Sequence, residues 1–148
     1  MTVINEMKLS FPSRSANESF ARIAVAAFVA ALDPTVDEVT DIKTAISEAV
    51  TNCIVHGYKD TLGTVYIQAR ILEGGKIQIR VRDRGCGIPD VKQAMEPLYT
   101  TCTTGERAGL GFAVMQSFMD KVRVSSRVGG GTTVTMEKTL TSRPALHG

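Results

Sequence analysis

The 148-residue sequence predicts an α+β fold, a two-layer sandwich in which helices cover one face of a mixed, mostly antiparallel sheet. After one weak strand pattern, two long helical patterns occupy the first part of the chain, and paired strand patterns follow them. Glycine-rich turns at 73–76 and 129–131 join those strand patterns into hairpins. We expect one domain over residues 1–140 and a flexible tail over residues 141–148.

Each helical pattern begins with a capping box, which is a Ser or Thr followed three residues later by Glu. Ser15 with Glu18 predicts a helix over about residues 17–32, and Thr35 with Glu38 predicts a second helix. The apolar residues of the second pattern recur at helical spacing and should face a core. They are Val39, Ile42, Ile46, Ala49 and Cys53.

Alternating apolar residues predict five strands. The strands are expected at 7–11, 65–71, 77–81, 122–124 and 134–136. Between the two hairpins we expect a short helix over 90–95, an irregular loop over 96–108 and a helix over 109–119. The apolar side of that last helix comprises Leu110, Val114 and Phe118.

Composition and charge exclude several classes of protein. A net charge of +2 gives no electrostatic reason to expect direct binding of nucleic acid. The longest apolar stretch, residues 23–32, is too short to span a bilayer, so we expect no membrane association. The cysteines are odd in number and widely spaced, which predicts free thiols in a reducing cytoplasm rather than disulfides or a zinc site. They are Cys53, Cys86 and Cys102.

A polar stripe follows the second helix beside its apolar face. Glu48, Asn52 and His56 are spaced four residues apart, so they lie on one side of the helix, which Gly57 ends. An amide oxygen is a suitable neutral ligand for Mg²⁺, and a carboxylate one turn away can accept a proton from a hydroxyl group. The same stripe is also compatible with a solvated helix flank.

An Asp directly follows the strand pattern at 77–81 and precedes two glycines. Asp83, Gly85 and Gly87 can place a carboxylate inside a pocket while the backbone approaches a ligand closely. A carboxylate accepts a hydrogen bond from an exocyclic amine such as that of adenine. A simple turn would give the same local sequence.

Three glycines surround the predicted start of the helix at 109–119, and a Gly-Thr-Thr run enters the last strand. Gly105, Gly109 and Gly111 lead a loop into a helix N-terminus, where free N–H groups favour a phosphate. No Lys-Ser/Thr pair follows, so the segment is not a Walker A loop. In the Gly-Thr-Thr run, the Thr132 hydroxyl can reach a base or a bridging water, although Thr is common in strands.

These four elements occur in one order that resembles the GHKL superfamily of ATP-binding (Bergerat) domains. The matching segments are SEAVTNCIVHGY at 47–58, DRGCGIPD at 83–90, GERAGLGF at 105–112 and GTT at 131–133. The segments at 17–22 and 97–101 are similar to those of the anti-sigma serine kinases within that superfamily. The sporulation branch is the nearer one, and the general-stress branch is the alternative.

The resemblance implies roles for particular residues. Asn52 would coordinate Mg²⁺, Glu48 would be the general base toward a protein serine, and Asp83 would hydrogen-bond the adenine amine. The other ATP or ADP contacts would come from Gly85, Gly87, Thr101, Arg107, Gly109, Leu110, Gly111 and Thr132. The resemblance also implies that Arg22 and Arg107 face protein partners. His56 is expected to be structural.

The resemblance further implies partners and an activity. The partners are a sigma factor and an antagonist of the kinase that carries the acceptor serine, and the chain would be a homodimer. An ATP-dependent binding module without kinase activity and a stand-alone histidine kinase domain remain as alternatives. The sequence departs from the family pattern at two places. Arg84 stands where an acidic residue is expected, and the segment at 100–104 is rich in Thr and lacks Lys, so the contacts of that segment with phosphate are less certain than nucleotide binding itself.

Overall fold

The computed structural model describes residues 2–95 and 111–141, in which helices pack on one face of a five-stranded sheet. In chain order the elements are β1 (Val3–Pro12), α1 (Ala16–Val29), a 3₁₀ turn (Ala30–Leu32), α2 (Val36–Asn52), a π-helical turn (Cys53–Gly57), β2 (Thr64–Leu72), β3 (Lys76–Asp83), α3 (Val91–Ala94), α4 (Phe112–Phe118), β4 (Lys121–Arg127) and β5 (Gly131–Thr139). This order confirms the α+β fold class. The loop predicted at 96–108 lies outside the described residues.

The sheet has the strand order β1-β2-β3-β5-β4, and each neighbouring pair within the described residues is antiparallel. The expectation of a mixed sheet is therefore corrected to an antiparallel one. Both predicted hairpins are present, and the second returns β5 alongside β3. As a result, Asp83 at the end of β3 lies opposite Thr132 at the start of β5.

The two faces of the sheet differ in character. One face carries the alternating apolar residues of β2 and β3, which pack against α1 and α2, while α4 packs against α2 and β4. Ile42 and Ile46 of α2 are fully buried against it, as are Ile79 of β3 and Met136 of β5. The opposite face carries polar and charged side chains, because successive residues of a strand point to opposite sides.

The first predicted capping box is wrong. Ser15 has helical backbone angles and its side chain caps no backbone N–H. Glu18 instead accepts hydrogen bonds from Arg22 one turn later and from the Thr51 hydroxyl of α2, the latter at 2.9 Å. A charge-assisted partner outcompetes a backbone amide for the carboxylate. The helix also ends earlier than predicted, at Val29, where a 3₁₀ turn begins.

The second capping box is confirmed. The Thr35 hydroxyl accepts the Glu38 N–H at 3.0 Å, and the Glu38 carboxylate accepts the Thr35 N–H at 2.8 Å. The other oxygen of Glu38 accepts the N–H and the hydroxyl of Thr141, at 2.7 and 3.0 Å. Glu38 therefore connects Thr141, the second residue after β5, to the start of α2. No helix within residues 2–95 and 111–141 is long and apolar enough to cross a membrane.

Helix α4 is shorter than predicted and buries a different side. Phe112 and Met115 are its buried residues, whereas Val114 and Phe118 are only half-buried. The buried side is therefore displaced by about one position toward the C-terminus relative to the predicted one. Leu110 lies outside the described residues, as do positions 142–148 of the predicted tail.

Candidate functional site

The end of α2, the end of β3 and the start of β5 enclose a small cavity. Its volume is about 30 Å³, which is room for one or two water molecules. Four of the residues predicted from the sequence line it together: Asn52, Asp83, Gly87 and Thr132. The other lining residues are Ala49, Cys53, His56, Val81, Ile88, Phe112 and Val134. The predicted adenine and Mg²⁺ residues therefore meet at one place.

Asp83 is the most deeply buried charged side chain at this cavity, with 4% of its surface exposed. Burial raises the pKa of its carboxyl group. Hydrogen bonds from the Gly85 N–H, the Cys53 thiol and the Thr132 N–H lower it again, but by less. The Gly85 N–H lies 2.8 Å from Oδ1. A carboxylate has about four acceptor positions, so these three donors leave room for a further one from a ligand.

Two glycines allow the chain to close around Asp83. A Cβ on Gly57 would lie 2.8 Å from the Asp83 carboxyl carbon, and a Cβ on Gly85 would lie 2.0 Å from the Gly57 carbonyl oxygen. The Cys86 N–H donates to that same carbonyl at 2.9 Å. The end of α2 and the loop after β3 thus contact each other backbone to backbone. Gly57 ends the helix as predicted and also makes space for the carboxylate.

The loop after Asp83 is fixed against the turn between β4 and β5. Gly87 has φ 78°, and a Cβ there would lie 2.1 Å from the Arg127 carbonyl oxygen, so the position requires glycine. The Ile88 N–H donates to the Ser126 hydroxyl at 2.8 Å, and that hydroxyl lies 2.8 Å from the Thr132 hydroxyl. The Thr132 hydroxyl is therefore tied to Ser126, while its N–H contacts Asp83.

Tyr58 is a buried residue of the site that the sequence patterns did not reveal. Its hydroxyl donates to the Thr64 carbonyl at 2.7 Å and accepts the Arg84 N–H at 2.7 Å. It thereby holds the backbone next to Asp83. Arg84, which stands where an acidic residue was expected, places its guanidinium 5.1 Å from the ring centre of Tyr66. Tyr66 lies on the polar face of the sheet, so the Arg84 side chain is directed there.

Glu48 lies one helical turn before Asn52 and is half-buried, but it does not line the cavity. Within the described ranges, no group of three or more His, Cys, Asp or Glu side chains is arranged to hold a metal ion. Asn52 is the residue of α2 that brings a side-chain oxygen to this cavity. Mg²⁺ commonly uses few protein ligands and completes its shell with substrate phosphates and water, so the donor set fits a nucleotide-linked Mg²⁺.

Arg22 does not project freely from α1. Its guanidinium donates to Glu18 and Ser19 on its own helix, and to Ser47 on α2 at 3.1 Å. About a third of its side chain is exposed. Arg22 therefore connects α1 to the residue before Glu48, and its role toward protein partners stays a prediction.

Four predicted residues fall outside the described part of the chain: Thr101, Arg107, Gly109 and Leu110. Gly111 is described and caps α4 with φ 70°. It directly precedes Phe112, which lines the cavity. The structure therefore brings the described end of the glycine-rich segment to the Asp83 cavity. Cys53 and Phe112 adjoin predicted site residues in sequence, which is the signal by which they could have been found.

Comparison with known protein families gives a match over most of the chain. The histidine kinase-like ATPase domain matches residues 11–138. The chain is 56% identical to the anti-sigma F factor of Thermoanaerobacter sp. (strain X514), over 96% of this chain and 99% of that protein. It is 53% identical to the anti-sigma F factor of Geobacillus kaustophilus, over 96% and 97% of the two chains.

Solved structures with the same fold are more distant in sequence. The RsbU and RsbW domains of Rv1364c from Mycobacterium tuberculosis align with a TM-score of 0.68 at 21% identity, over 92% of this chain and 32% of that one. The catalytic domain of the histidine kinase ThkA aligns with a TM-score of 0.59 at 15% identity, over 92% and 99%. At these identities the likeness is one of fold.

Proposed function

The chain belongs to the histidine kinase-like ATPase family, the GHKL superfamily, and shares more than half of its residues with anti-sigma F factors; on that premise we propose that it is an anti-sigma factor and an ATP-dependent protein serine kinase. The observation that carries this proposal is the cavity that Asn52 and Asp83 line together. It joins a ligand suited to Mg²⁺ with a buried acceptor suited to an amine.

In the proposed complex, Asp83 accepts a hydrogen bond from the exocyclic amine of adenine. Its neighbours help to orient the carboxylate, because the Gly85 N–H and the Thr132 N–H both donate to it. Burial disfavours the charged carboxylate and raises its pKa, so a donor from the ligand stabilises the site more than it would in water. Gly87 and Thr132 line the same cavity and would lie beside the base.

The phosphates would extend from this cavity toward Asn52 and the start of α4. When bound, Mg²⁺ would neutralise phosphate charge and help to orient the transferred group. Asn52 would hold it through the amide oxygen, while Gly109, Leu110 and Gly111 would offer backbone N–H groups to the phosphates. Thr101 and Arg107 would complete the phosphate contacts from the segment between α3 and α4.

Glu48 would be the general base toward the serine hydroxyl of a protein substrate. It lies four residues before Asn52 in α2, which is a separation of about 6 Å along one side of the helix. A carboxylate at that distance from the proposed Mg²⁺ ligand can accept the hydroxyl proton as the serine oxygen bonds to the γ-phosphorus and the bond from that phosphorus to the leaving ADP breaks. Phosphoryl transfer depends mainly on positioning and on neutralising charge, and this arrangement of residues could provide both.

The proposed protein partners follow from the relatives. Proteins at 53–56% identity are named anti-sigma F factors, so we propose a sporulation sigma factor as one partner and a serine-bearing antagonist as the substrate. The general-stress type is the alternative. A phosphate on that serine adds nearly two negative charges, which would weaken rebinding. Arg22 and Arg107 would contact these partners, and the protein would act as a cytoplasmic homodimer.

The test is transfer of labelled phosphate from ATP to a candidate antagonist by the wild type and by Glu48→Gln. We expect wild type to form acid-stable phosphoserine, and we expect Glu48→Gln to slow transfer by at least about 100-fold, the lower range for a general base. Its affinity for ATP should stay within about threefold of wild type. Glu73→Gln is the matched control, because Glu73 is exposed in the turn between β2 and β3.

Three results separate the alternatives. ATP binding without phosphate transfer by wild type would favour a binding module. An acid-labile product would favour a histidine kinase. Equal loss of transfer in Glu48→Gln and Glu73→Gln would remove Glu48 from the role of base, whatever the product.

A further inference from the structure

The face of the sheet that carries no helices has an uneven distribution of charge. Cross-strand register places Lys8 of β1, Gln68 of β2 and Arg80 of β3 in one row. The next row contains Ser10, Tyr66 and Arg82, in the same strand order. Arg84 follows β3 and its guanidinium also reaches Tyr66. Four cationic side chains therefore lie together over the middle of β1, β2 and β3; we call this group the basic patch.

The basic patch lacks the counter-charges present elsewhere on the same face. Arg70 pairs with Glu6 at 2.6 Å, and Glu137 pairs with Lys76 at 3.2 Å and with Arg123 at 3.5 Å. In contrast, none of the four cations of the patch forms an ion pair with any residue in 2–95 or 111–141. Uncompensated like charges held close together repel one another, and an anionic partner would relieve that repulsion.

Two of the guanidinium groups lie against an aromatic ring. Arg82 lies 5.9 Å and Arg84 lies 5.1 Å from the centre of the Tyr66 ring, which are cation–π distances. A guanidinium stacked on a ring keeps its edge N–H groups available for carboxylate oxygens. These exposed arginines therefore offer hydrogen-bond donors to a partner at the surface of the sheet.

A groove runs over these side chains. Its volume is about 420 Å³, and Lys8, Ser10, Tyr66, Gln68, Arg80 and Arg82 line it. This is the size of a ligand cleft, and it lies on the opposite side of the sheet from the Asp83 cavity. Arg80 and Arg82 are two residues apart on β3 and point to the same face, about 7 Å from each other along the strand.

We propose that this groove is a second protein-docking surface, which binds an extended acidic segment of a partner protein. In an extended chain, carboxylates at alternate residues share one side and repeat at the same spacing as Arg80 and Arg82. Ser10 and Gln68 add neutral polar groups between the cations. The site is separate from the nucleotide cavity, so the proposal does not depend on kinase activity.

Charge complementarity favours an acidic protein segment over nucleic acid. Tyr66 is the aromatic residue of the groove, and Arg82 and Arg84 already lie against it, so it is not available as a platform for stacking bases. The net charge of +2 is also small for a nucleic-acid-binding domain, and the patch contains only four cations.

The test is fluorescence anisotropy with a labelled peptide of alternating Glu and Ser at low salt. We expect Arg80→Glu/Arg82→Glu to bind this peptide at least about tenfold more weakly than wild type. The control is Lys59→Glu/Lys121→Glu, which changes the net charge equally at two exposed positions outside the groove. It should bind within about twofold of wild type, and both double variants should keep the affinity of wild type for ATP.

Two further measurements keep the proposal open to refutation. If the Arg80→Glu/Arg82→Glu protein fails to fold, Arg80→Gln/Arg82→Gln should show the same direction of change. A peptide of equal composition with its Glu residues in one block should bind more weakly than the alternating peptide. Equal loss in the two charge-reversed variants, or tighter binding of an oligothymidylate than of the peptide, would overturn the proposal.

Discussion

Two buried carboxylates lie at opposite ends of α2 and behave in opposite ways. Glu38, in the first turn, is 9% exposed, and Asp83, against the last turn, is 4% exposed. Burial raises the pKa of Glu38, but hydrogen bonds from Thr35 and Thr141 outweigh it and lower the pKa to about 2. At Asp83 burial is the larger influence and the pKa is raised despite its three donors.

The contrast distinguishes a structural carboxylate from one that is suited to a ligand. Around Glu38 the protein stabilises the charge fully, and the helix N-terminus adds a favourable dipole. A ligand would therefore gain little binding free energy from Glu38. Around Asp83 one of the three donors is a thiol, which is weak, and the charge stays partly uncompensated. A ligand that supplies a further donor therefore gains binding free energy at Asp83.

If the contrast is right, substitutions at the Asp83 end should change nucleotide binding and those at the Glu38 end should change stability. The largest effect is expected for Asn52→Ala, which removes the amide oxygen proposed for Mg²⁺. We expect at least about a 100-fold loss of Mg²⁺-dependent ATP affinity in calorimetry, because a charge-assisted ligand is lost at the phosphates. The free energy of unfolding should fall by less than about 1 kcal/mol. A protein that unfolds instead would make Asn52 a structural residue.

A smaller effect is expected for Gly57→Ala. The new methyl group would lie 2.8 Å from the Asp83 carboxyl carbon, so the carboxylate must move. We expect roughly a tenfold loss of ATP affinity, since the change weakens a hydrogen bond to a charged group that is worth about 1.5–3 kcal/mol. Because both changes act through one carboxylate, Gly57→Ala combined with Asp83→Asn should bind ATP as Asp83→Asn does. Additive losses would show that Gly57 acts elsewhere.

At the other end of α2, Glu38→Gln should change stability alone. Gln keeps one acceptor oxygen where Glu38 uses two, so the hydrogen bonds to Thr35 and Thr141 cannot both be kept. The free energy of unfolding should fall by about 1–2 kcal/mol, measured in urea. ATP affinity should match wild type. Asp37→Asn is the control, because it removes a charge from the same exposed first turn. A similar loss in Asp37→Asn would mean that the helix dipole, and not the specific hydrogen bonds, accounts for the effect.

The smallest expected effect is a pH dependence of opposite sign at the two carboxylates. The pKa of Glu38 in the folded state, about 2, is below its usual 4.5, so its contribution is complete above about pH 5 and is lost as the pH falls toward 2. For Asp83, whose folded pKa is raised, stability falls as the pH rises from 3.8 through that pKa. The free energy of unfolding in urea would be measured from pH 2.5 to 6 for wild type, Glu38→Gln and Asp83→Asn. As the pH rises, the difference between wild type and Glu38→Gln should grow, whereas the difference between wild type and Asp83→Asn should fall. Slopes of the same sign would contradict the opposite pKa shifts of the two carboxylates.

The sequence predicted local features well where no distant residue competes for them. The Thr35–Glu38 box formed as predicted, whereas the identical Ser15–Glu18 pattern did not. The reason is tertiary, because Thr51 of α2 donates to Glu18 and no pattern within α1 reveals that contact. The second bond of Glu38 is similar, since Thr141 is 103 residues away in sequence.

The site was predictable as a set of residues but not as an arrangement. Alternation placed Asp83 at a strand end, and helical spacing placed Asn52 on α2. Their meeting depends on α2 packing at the end of β3, and the contact of Thr132 with Asp83 depends on β5 lying next to β3. Periodicity predicts neither arrangement. Gly57 and Cys53 were interpreted as a helix stop and a core residue, because their contacts with Asp83 arise only when α2 packs against the loop after β3.

The central claim is that Asp83 accepts a hydrogen bond from the exocyclic amine of adenine. A thermodynamic cycle of two proteins and two nucleotides tests it most directly. Affinities of wild type and Asp83→Asn would be measured for ATP and for purine riboside triphosphate, which lacks the amine. We expect wild type to prefer ATP by about tenfold or more, since one hydrogen bond to a charged group is worth about 1.5–3 kcal/mol. Asp83→Asn should bind both nucleotides equally. The same preference in both proteins would contradict the account.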